Sequence, residues 1–222
     1  MWGNDLLRWD PVSLSASIEV DYANMKPPGK VGAAAEYENE LFGREIAWPS
    51  RLEGIDFTDC EFKGCELRSV RLLRCRFFDC RFERVDASGS DWTDCTVRGV
   101  TFHDTKLLGV NWTLLQSLAA TRWERSRLDG GCFQALPLEQ AEWIECSARE
   151  VDFSECKLKK ARFGGSDVEG ANFNGADLTQ ADFSGATGLT LQPGHVRLKG
   201  TVIELGALLQ LAKDLGLKIA GH

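Results

Sequence analysis

Eight cysteines, three histidines and many carboxylates are the side chains of this 222-residue chain that could do chemistry. A structural zinc site draws on thiolate pairs two to four residues apart. The cysteines here (Cys60, Cys65, Cys75, Cys80, Cys95, Cys132, Cys146 and Cys156) contain no Cys-x-x-Cys pair, and most lie at multiples of five. His103, His195 and His222 stand far apart, and no HExxH, P-loop or GxSxG signature accompanies them. Gly130-Gly131-Cys132 and Gly164-Gly165-Ser166 resemble nucleophile turns only when read in isolation. The expectation is a protein with no catalytic residues, no metal and no cofactor.

The spacing that scatters the cysteines is the dominant signal of the chain. Every fifth residue from Leu52 is apolar: Leu52, Phe57, Phe62, Leu67, Leu72, Phe77, Phe82, Ala87, Trp92, Val97, Phe102, Leu107 and Trp112. After a one-residue slip among Thr113, Leu114, Leu115 and Gln116 the series resumes at Leu118 and runs to Phe183. Two positions before each centre sits a small residue, and seven of the eight cysteines occupy that place. In register, Gly131 and Ser166 are also such residues, while Cys132 is a variable neighbour of a centre. One large and one small inward residue per five fits neither the helical nor the strand period. It fits a narrow solenoid whose units bury their apolar face only by stacking. Cysteine in that setting is a small buried hydrophobe.

Units such as Ala171-Asn172-Phe173-Asn174-Gly175, Ala176-Asp177-Leu178-Thr179-Gln180 and Ala181-Asp182-Phe183-Ser184-Gly185 closely resemble the pentapeptide-repeat pattern, over roughly residues 50–185. The resemblance implies an all-β solenoid, a right-handed quadrilateral β-helix with four units per coil. Residues 20 apart then stack, with coils ~4.8 Å apart. Phe62, Phe82 and Phe102 form one column, continued after the slip by Trp123, Trp143, Phe163 and Phe183. Local widening is expected around Trp92, Trp112, Trp123 and Trp143, each of which also needs a partner for its indole N–H.

Three regions follow: a capping segment at 1–49, the β-helix at 50–185, and a connector with a terminal helix at 186–222. In the first, Val12 to Tyr22 alternates like a half-buried strand, and Ala33 to Ile46 reads as a short helix. The slip near 113–117 predicts a kink in the rod. Pro137, which has no N–H to donate, predicts a bulge beside the oversized Leu136. Ile203 to Leu215 reads as a helix with a broad stripe of Leu205, Leu208, Leu209, Leu211, Ala212 and Leu215, closed by Gly216 and followed by a short strand at Leu217 to Ile219. By resemblance to topoisomerase-protecting members of the family, this tail is expected to plug the last coil and form a homodimer.

The formal net charge is −7, which argues against direct nucleic-acid binding. No apolar run is long enough for a membrane span, and the first ten residues do not read as a signal peptide, so a cytoplasmic location is expected. The resemblance extends to quinolone-resistance proteins and to self-immunity proteins of producers of gyrase poisons. It implies a DNA-mimicking rod that engages DNA gyrase or a related type II topoisomerase and shields it. A generic scaffold for protein–protein contact is the alternative. From Arg51 to Gly185 there are 23 acidic and 18 basic side chains. That excess is far below the roughly 19 phosphate charges of a duplex of similar length. Mimicry therefore has to reside in particular faces. Asp129, Glu150, Asp167 and Glu169 on one face, with Asp152 and Glu155 on the next, are the candidate partner-binding acids. The face of Leu118, Leu138, Leu158 and Leu178 is instead basic, at Lys157, Lys159 and Lys160.

Overall fold

The computed structural model describes residues 31, 36–192 and 194–218. Its strands are three residues long or shorter, and every pairing between them is parallel. They line up as a six-stranded, a five-stranded and a two-stranded sheet. Isolated parallel bridges extend these sheets along the second half of the chain. The architecture is a right-handed solenoid of pentapeptide units ending in a helix, α1 (Leu205–Asp214).

Four faces run along the rod, each identified here by its first centre residue. The Tyr37 face continues through Phe57, Phe77, Val97 and Leu118 to the units of Leu138, Leu158, Leu178 and Leu198. The Phe42 face runs through Phe62, Phe82, Phe102, Trp123 and Trp143 to Phe163 and Phe183. The Leu67 face and the Leu52 face complete the square. Partners are 20 residues apart except across the slip, where Phe102 pairs with Trp123, 21 residues on.

The core is one continuous file of inward side chains. Phe62 and Phe82 stack with centroids 4.3 Å apart, Trp123 and Trp143 at 5.0 Å, and Phe163 and Phe183 at 4.6 Å. Neighbouring faces meet edge to face, as do Trp112 and Trp123 at 5.7 Å. The stack loosens between Trp92 and Trp112, at 5.9 Å, and between Phe102 and Trp123, at 6.0 Å, but not around Trp143, which stacks on Phe163 at 4.8 Å. The indole N–H of Trp92 reaches Ser90 Oγ at 2.7 Å. Those of Trp112, Trp123 and Trp143 find no acceptor among the described residues, contrary to the expected partnering. The small inward residues tie adjacent coils together. Cys65, Cys95 and Cys156 each donate a thiol to the carbonyl 23 residues earlier, at 2.9–3.1 Å. Ser166 does the same with a hydroxyl, to Trp143, and Ser126 bonds Phe102, 24 residues earlier because the slip lies between them.

The first coil differs from expectation. In place of a helix over Ala33 to Ile46, Glu36–Glu38 and Leu41–Phe42 are strands. Tyr37 and Phe42 are buried centres that stack on Phe57 and Phe62. Five-residue steps back from Leu52 reach Ala47, Phe42 and Tyr37, so the period itself carries the solenoid into this segment. The strand expected at Val12 to Tyr22 lies outside the described residues. At the far end, α1 covers the narrower span Leu205–Asp214, and Leu217 and Lys218 belong to no strand.

The slip is absorbed by a single 3-10 turn, Trp112–Leu114, capped by the Asn111 side chain. Pairing continues across it on the Tyr37, Phe42, Leu67 and Leu52 faces. The discontinuity falls one coil later, at Pro137. No backbone hydrogen bond crosses from Leu118 or Ala120 to the unit of Pro137–Gln140, whereas Leu138 and Gln140 donate normally to Lys157 and Lys159. A shallow cleft of about 160 Å³ opens there, lined by Leu118, Ala119, Pro137 and Leu138 among others. The expected irregularity at Pro137 is thus a gap in one ladder.

Two outcomes follow. Trp123→Ala, at the middle of the stack, should cost about 3–5 kcal/mol of stability in urea unfolding. In native-state hydrogen exchange, the amides of Leu118 and Ala120 should lose protection well before those of Leu138 and Gln140, because only the latter are bonded to the next coil.

Candidate interaction surfaces

In each unit the residue before the centre and the two after it point outward, so the chemistry of the surface is a set of columns with one residue per coil. On the Leu67 face, Asp129 accepts hydrogen bonds from Ser147 Oγ and the Arg149 amide and forms an ion pair with Arg127 at 3.1 Å. Arg149 bridges Asp167 at 2.6 Å and Glu169 at 3.4 Å. Three of the four acids expected to attract a partner on this face are therefore held by two arginines. Glu150 has no ion pair among the described residues. On the Leu52 face, Asp152 accepts from the Ser154 amide at 2.9 Å and from Asn172 Nδ2 at 3.1 Å, and it faces no base. Glu155 is exposed and also unpaired among the described residues. Glu150, Asp152 and Glu155 form the uncompensated acidic strip on these two adjoining faces.

The Phe42 face is a mesh of alternating charge. Arg122 and Arg162 both bind Glu142, at 2.8 and 2.9 Å, and Arg125 binds Asp104 at 3.0 Å. That hydrogen bond holds the Asp104 carboxyl below the usual range. Glu61 is nearly buried on the same face, and burial pushes its carboxyl up.

The Tyr37 face changes sign along its length. Glu36, Glu38, Asp56, Asp59 and Asp79 dominate its first coils, and Lys157, Lys159, Lys160, Arg197 and Lys199 its last. Sequence reasoning found the three lysines but assigned Glu36 and Glu38 to a helix. Stepping the five-residue period back past Leu52 would have placed them on this face.

At the end of the rod, α1 buries Leu211 alone. Leu205 is 68 % exposed, Leu208 52 % and Leu215 51 %, with Leu209 and Ala212 half-buried. Val202 and Leu217 extend the exposed apolar area. The predicted stripe is present, and only one of its residues seals the last coil.

The other reactive groups are interior. All eight cysteines are free, and seven are buried. Burial pushes the Cys65 thiol up to about 11 and those of Cys146 and Cys156 up to about 12. No group of three or more His, Cys, Asp or Glu able to hold a metal ion occurs among the described residues. No helix among them is long and apolar enough to cross a membrane.

A parallel solenoid with a filled core, four differently charged faces and an apolar terminal helix is a scaffold that presents surfaces. The family model for the pentapeptide repeat region matches residues 50–112 and 116–188, breaking at the 3-10 turn, and the chain belongs to this family. Among solved structures it is similar to full-length QnrB1, a plasmid-mediated fluoroquinolone resistance protein. Identity there is 16 %, the TM-score is 0.47, and the match spans 82 % of this chain and 100 % of that one. It is also similar to HetL, a pentapeptide repeat protein involved in heterocyst differentiation regulation from the cyanobacterium Nostoc, at 16 % identity and a TM-score of 0.43 over 79 % of this chain and 88 % of that one. No curated protein sequence matches the chain.

The thiols supply a pH test. The native pKa values of Cys65, Cys146 and Cys156 lie above the ordinary value of 9.0, so the unfolded chain releases these three protons first. Their contribution to stability is complete below about pH 8.5 and is lost as pH rises toward 11–12. Urea midpoints should therefore fall steadily above pH 9, and Cys146→Ala should flatten that decline. At pH 8, Ellman's reagent should titrate Cys132 in the native protein and the other seven thiols only on unfolding.

Proposed function

We propose that this protein binds DNA gyrase or a related type II topoisomerase in place of DNA and protects it from a topoisomerase poison, as an antibiotic-resistance or self-immunity factor. In this reading it acts without catalysis or cofactor. Membership of the pentapeptide-repeat family supports it, as does a rod whose ladder stays parallel across the slip. The observation that carries it is the strip of Glu150, Asp152 and Glu155, acidic and without an ion pair among the described residues, on two adjoining faces of the stack. Charge segregated in this way steers a basic DNA-binding groove even at modest net charge. Asp129, Asp167 and Glu169 border the strip and contribute less, because Arg127 and Arg149 already neutralise them.

In the same proposal a second copy of the chain covers the exposed leucines of α1, giving a two-fold dimer twice as long as one rod. The cytoplasm, where the enzyme works, is the matching location. A general scaffold for another protein is the second reading. It is favoured by those neutralised acids on the Leu67 face, which leave less negative surface than a full duplex mimic would carry.

Supercoiling by gyrase, titrated with this protein in the presence and absence of a poison, decides between the two. Protection at micromolar protein, reduced at least tenfold by Glu150→Lys with Glu155→Lys, is the expected result; no effect at micromolar excess would overturn the reading. Both positions are exposed, so the double variant should keep its stability to within about 0.5 kcal/mol. Leu205→Asp with Leu208→Asp should convert the dimer to a monomer in sedimentation velocity at 0.5 M salt, a concentration that screens charge pairs beyond about 4–5 Å.

A further inference from the structure

The Tyr37 face is electrostatically self-complementary, and from this we infer a second interface, independent of the topoisomerase reading and of α1, in which two copies of the chain pack antiparallel through this face. Residues stack one per coil in three outward columns. The middle coil of the face carries Ser117, Ala119 and Ala120, all small, uncharged and exposed. A two-fold axis across the face at this coil keeps each column opposite itself and inverts the order of the coils.

The inversion brings opposite charges together. In the column before the centres, Glu36 meets Arg197. In the column after them, Glu38 meets Lys199, Arg98 meets Glu139, and Thr58 meets Thr179. In the third, Asp79 meets Lys160. The symmetry doubles each of these contacts. Two like-charged meetings remain, Arg76 with Lys157 and Asp56 with Asp177. They are softened from within, because Arg76 is paired to Asp56, and Asp177 to Lys159 at 3.6 Å and Arg197 at 3.4 Å.

A second, independent observation marks the face. Most charged side chains of the Phe42 and Leu67 faces are engaged in ion pairs within the chain. Glu36, Glu38, Asp79, Arg98, Glu139, Lys160 and Lys199 have none among the described residues. The charges that the two-fold would pair across the interface are, apart from Arg197, all unpaired within the chain; of the other unpaired charges on this face, Asp59 meets Gln180 and Lys157 meets Arg76.

The size of the face sets the strength. Eight coil steps of ~4.8 Å give a length of about 38 Å, and a face about 10 Å wide then offers roughly 400 Å² per partner. That is about half the area of a standard stable interface, ~800 Å² per partner. Contact of this size, held by exposed charge pairs, is weak and salt-sensitive.

The test uses full-length protein carrying Leu205→Asp and Leu208→Asp, which removes any association through α1. Sedimentation velocity is run at 20 mM and 500 mM NaCl. The expected result is reversible dimerisation at tens of micromolar in low salt that disappears in high salt. Lys199→Glu should weaken it about tenfold, and Glu38→Lys in the same chain should restore it, since each altered residue then faces its altered complement. Ala119→Cys, on the axis, should cross-link to itself under copper-phenanthroline oxidation, while Ser69→Cys, exposed on the opposite face, should not. A monomer at both salt concentrations, or a Glu38→Lys/Lys199→Glu chain no stronger than Lys199→Glu alone, overturns the inference. Because α1 is silenced and gyrase is absent, either outcome leaves the proposed topoisomerase activity to its own assay.

Discussion

The corner of the coil is the constraint on which everything else rests. In unit after unit, the second residue past the centre takes a positive φ, near +46° to +78° along the repeat. Glycine fills that place at Gly54, Gly130 or Gly170, but 17 other described residues, among them Arg74, Ala120, Glu150 and Lys160, are forced into it. A non-glycine residue in this region costs roughly 1–2 kcal/mol. Nothing local offsets a cost repeated at so many corners. It is carried by the parallel ladder and by the file of stacked rings, which exist only if every corner turns in step. Stability is therefore a property of neighbouring coils, and the register of 20 is kept wherever the chain allows it.

The two irregularities show how that register is defended. An extra residue after Trp112 is taken up in one 3-10 turn, and the faces continue with a spacing of 21 for a single coil. Pro137 does not shift the register at all. It removes a donor, and the ladder on one face opens between Leu118 and Leu138 while Trp123 and Trp143 stay stacked on the next. Pairing is thus kept across the slip and lost on one side only, one coil further on.

Most of this was legible in the sequence because a five-residue period leaves few alternatives. Large and small inward residues and the buried role of the cysteines follow from counting, and the columns of aromatic rings from the four-unit coil that the family resemblance implies. Three features were less legible. The Ala33 to Ile46 segment reads as helical by local propensity, yet Tyr37 and Phe42 fit the period, and stacking on Phe57 and Phe62 prevails over propensity. The acids on the Leu67 face can be counted from sequence, but their neutralisation depends on the rotamers of Arg127, within its own unit, and of Arg149, which reaches to the next coil. The exposure of Leu205, Leu208 and Leu215 depends on how α1 sits on the last coil, which the period does not reach.

Function in such a molecule belongs to columns of outward side chains, because the axis is filled. The central claim is that one strip of these columns occupies a site that DNA would otherwise take. Equilibrium binding of the protein to the reconstituted gyrase complex and to each subunit alone, with a linear duplex added as competitor, tests it most directly. The account predicts binding to the complex that the duplex displaces and that Glu150→Lys with Glu155→Lys abolishes. Binding that persists undiminished at saturating duplex, or no binding to either subunit or the complex, would contradict it.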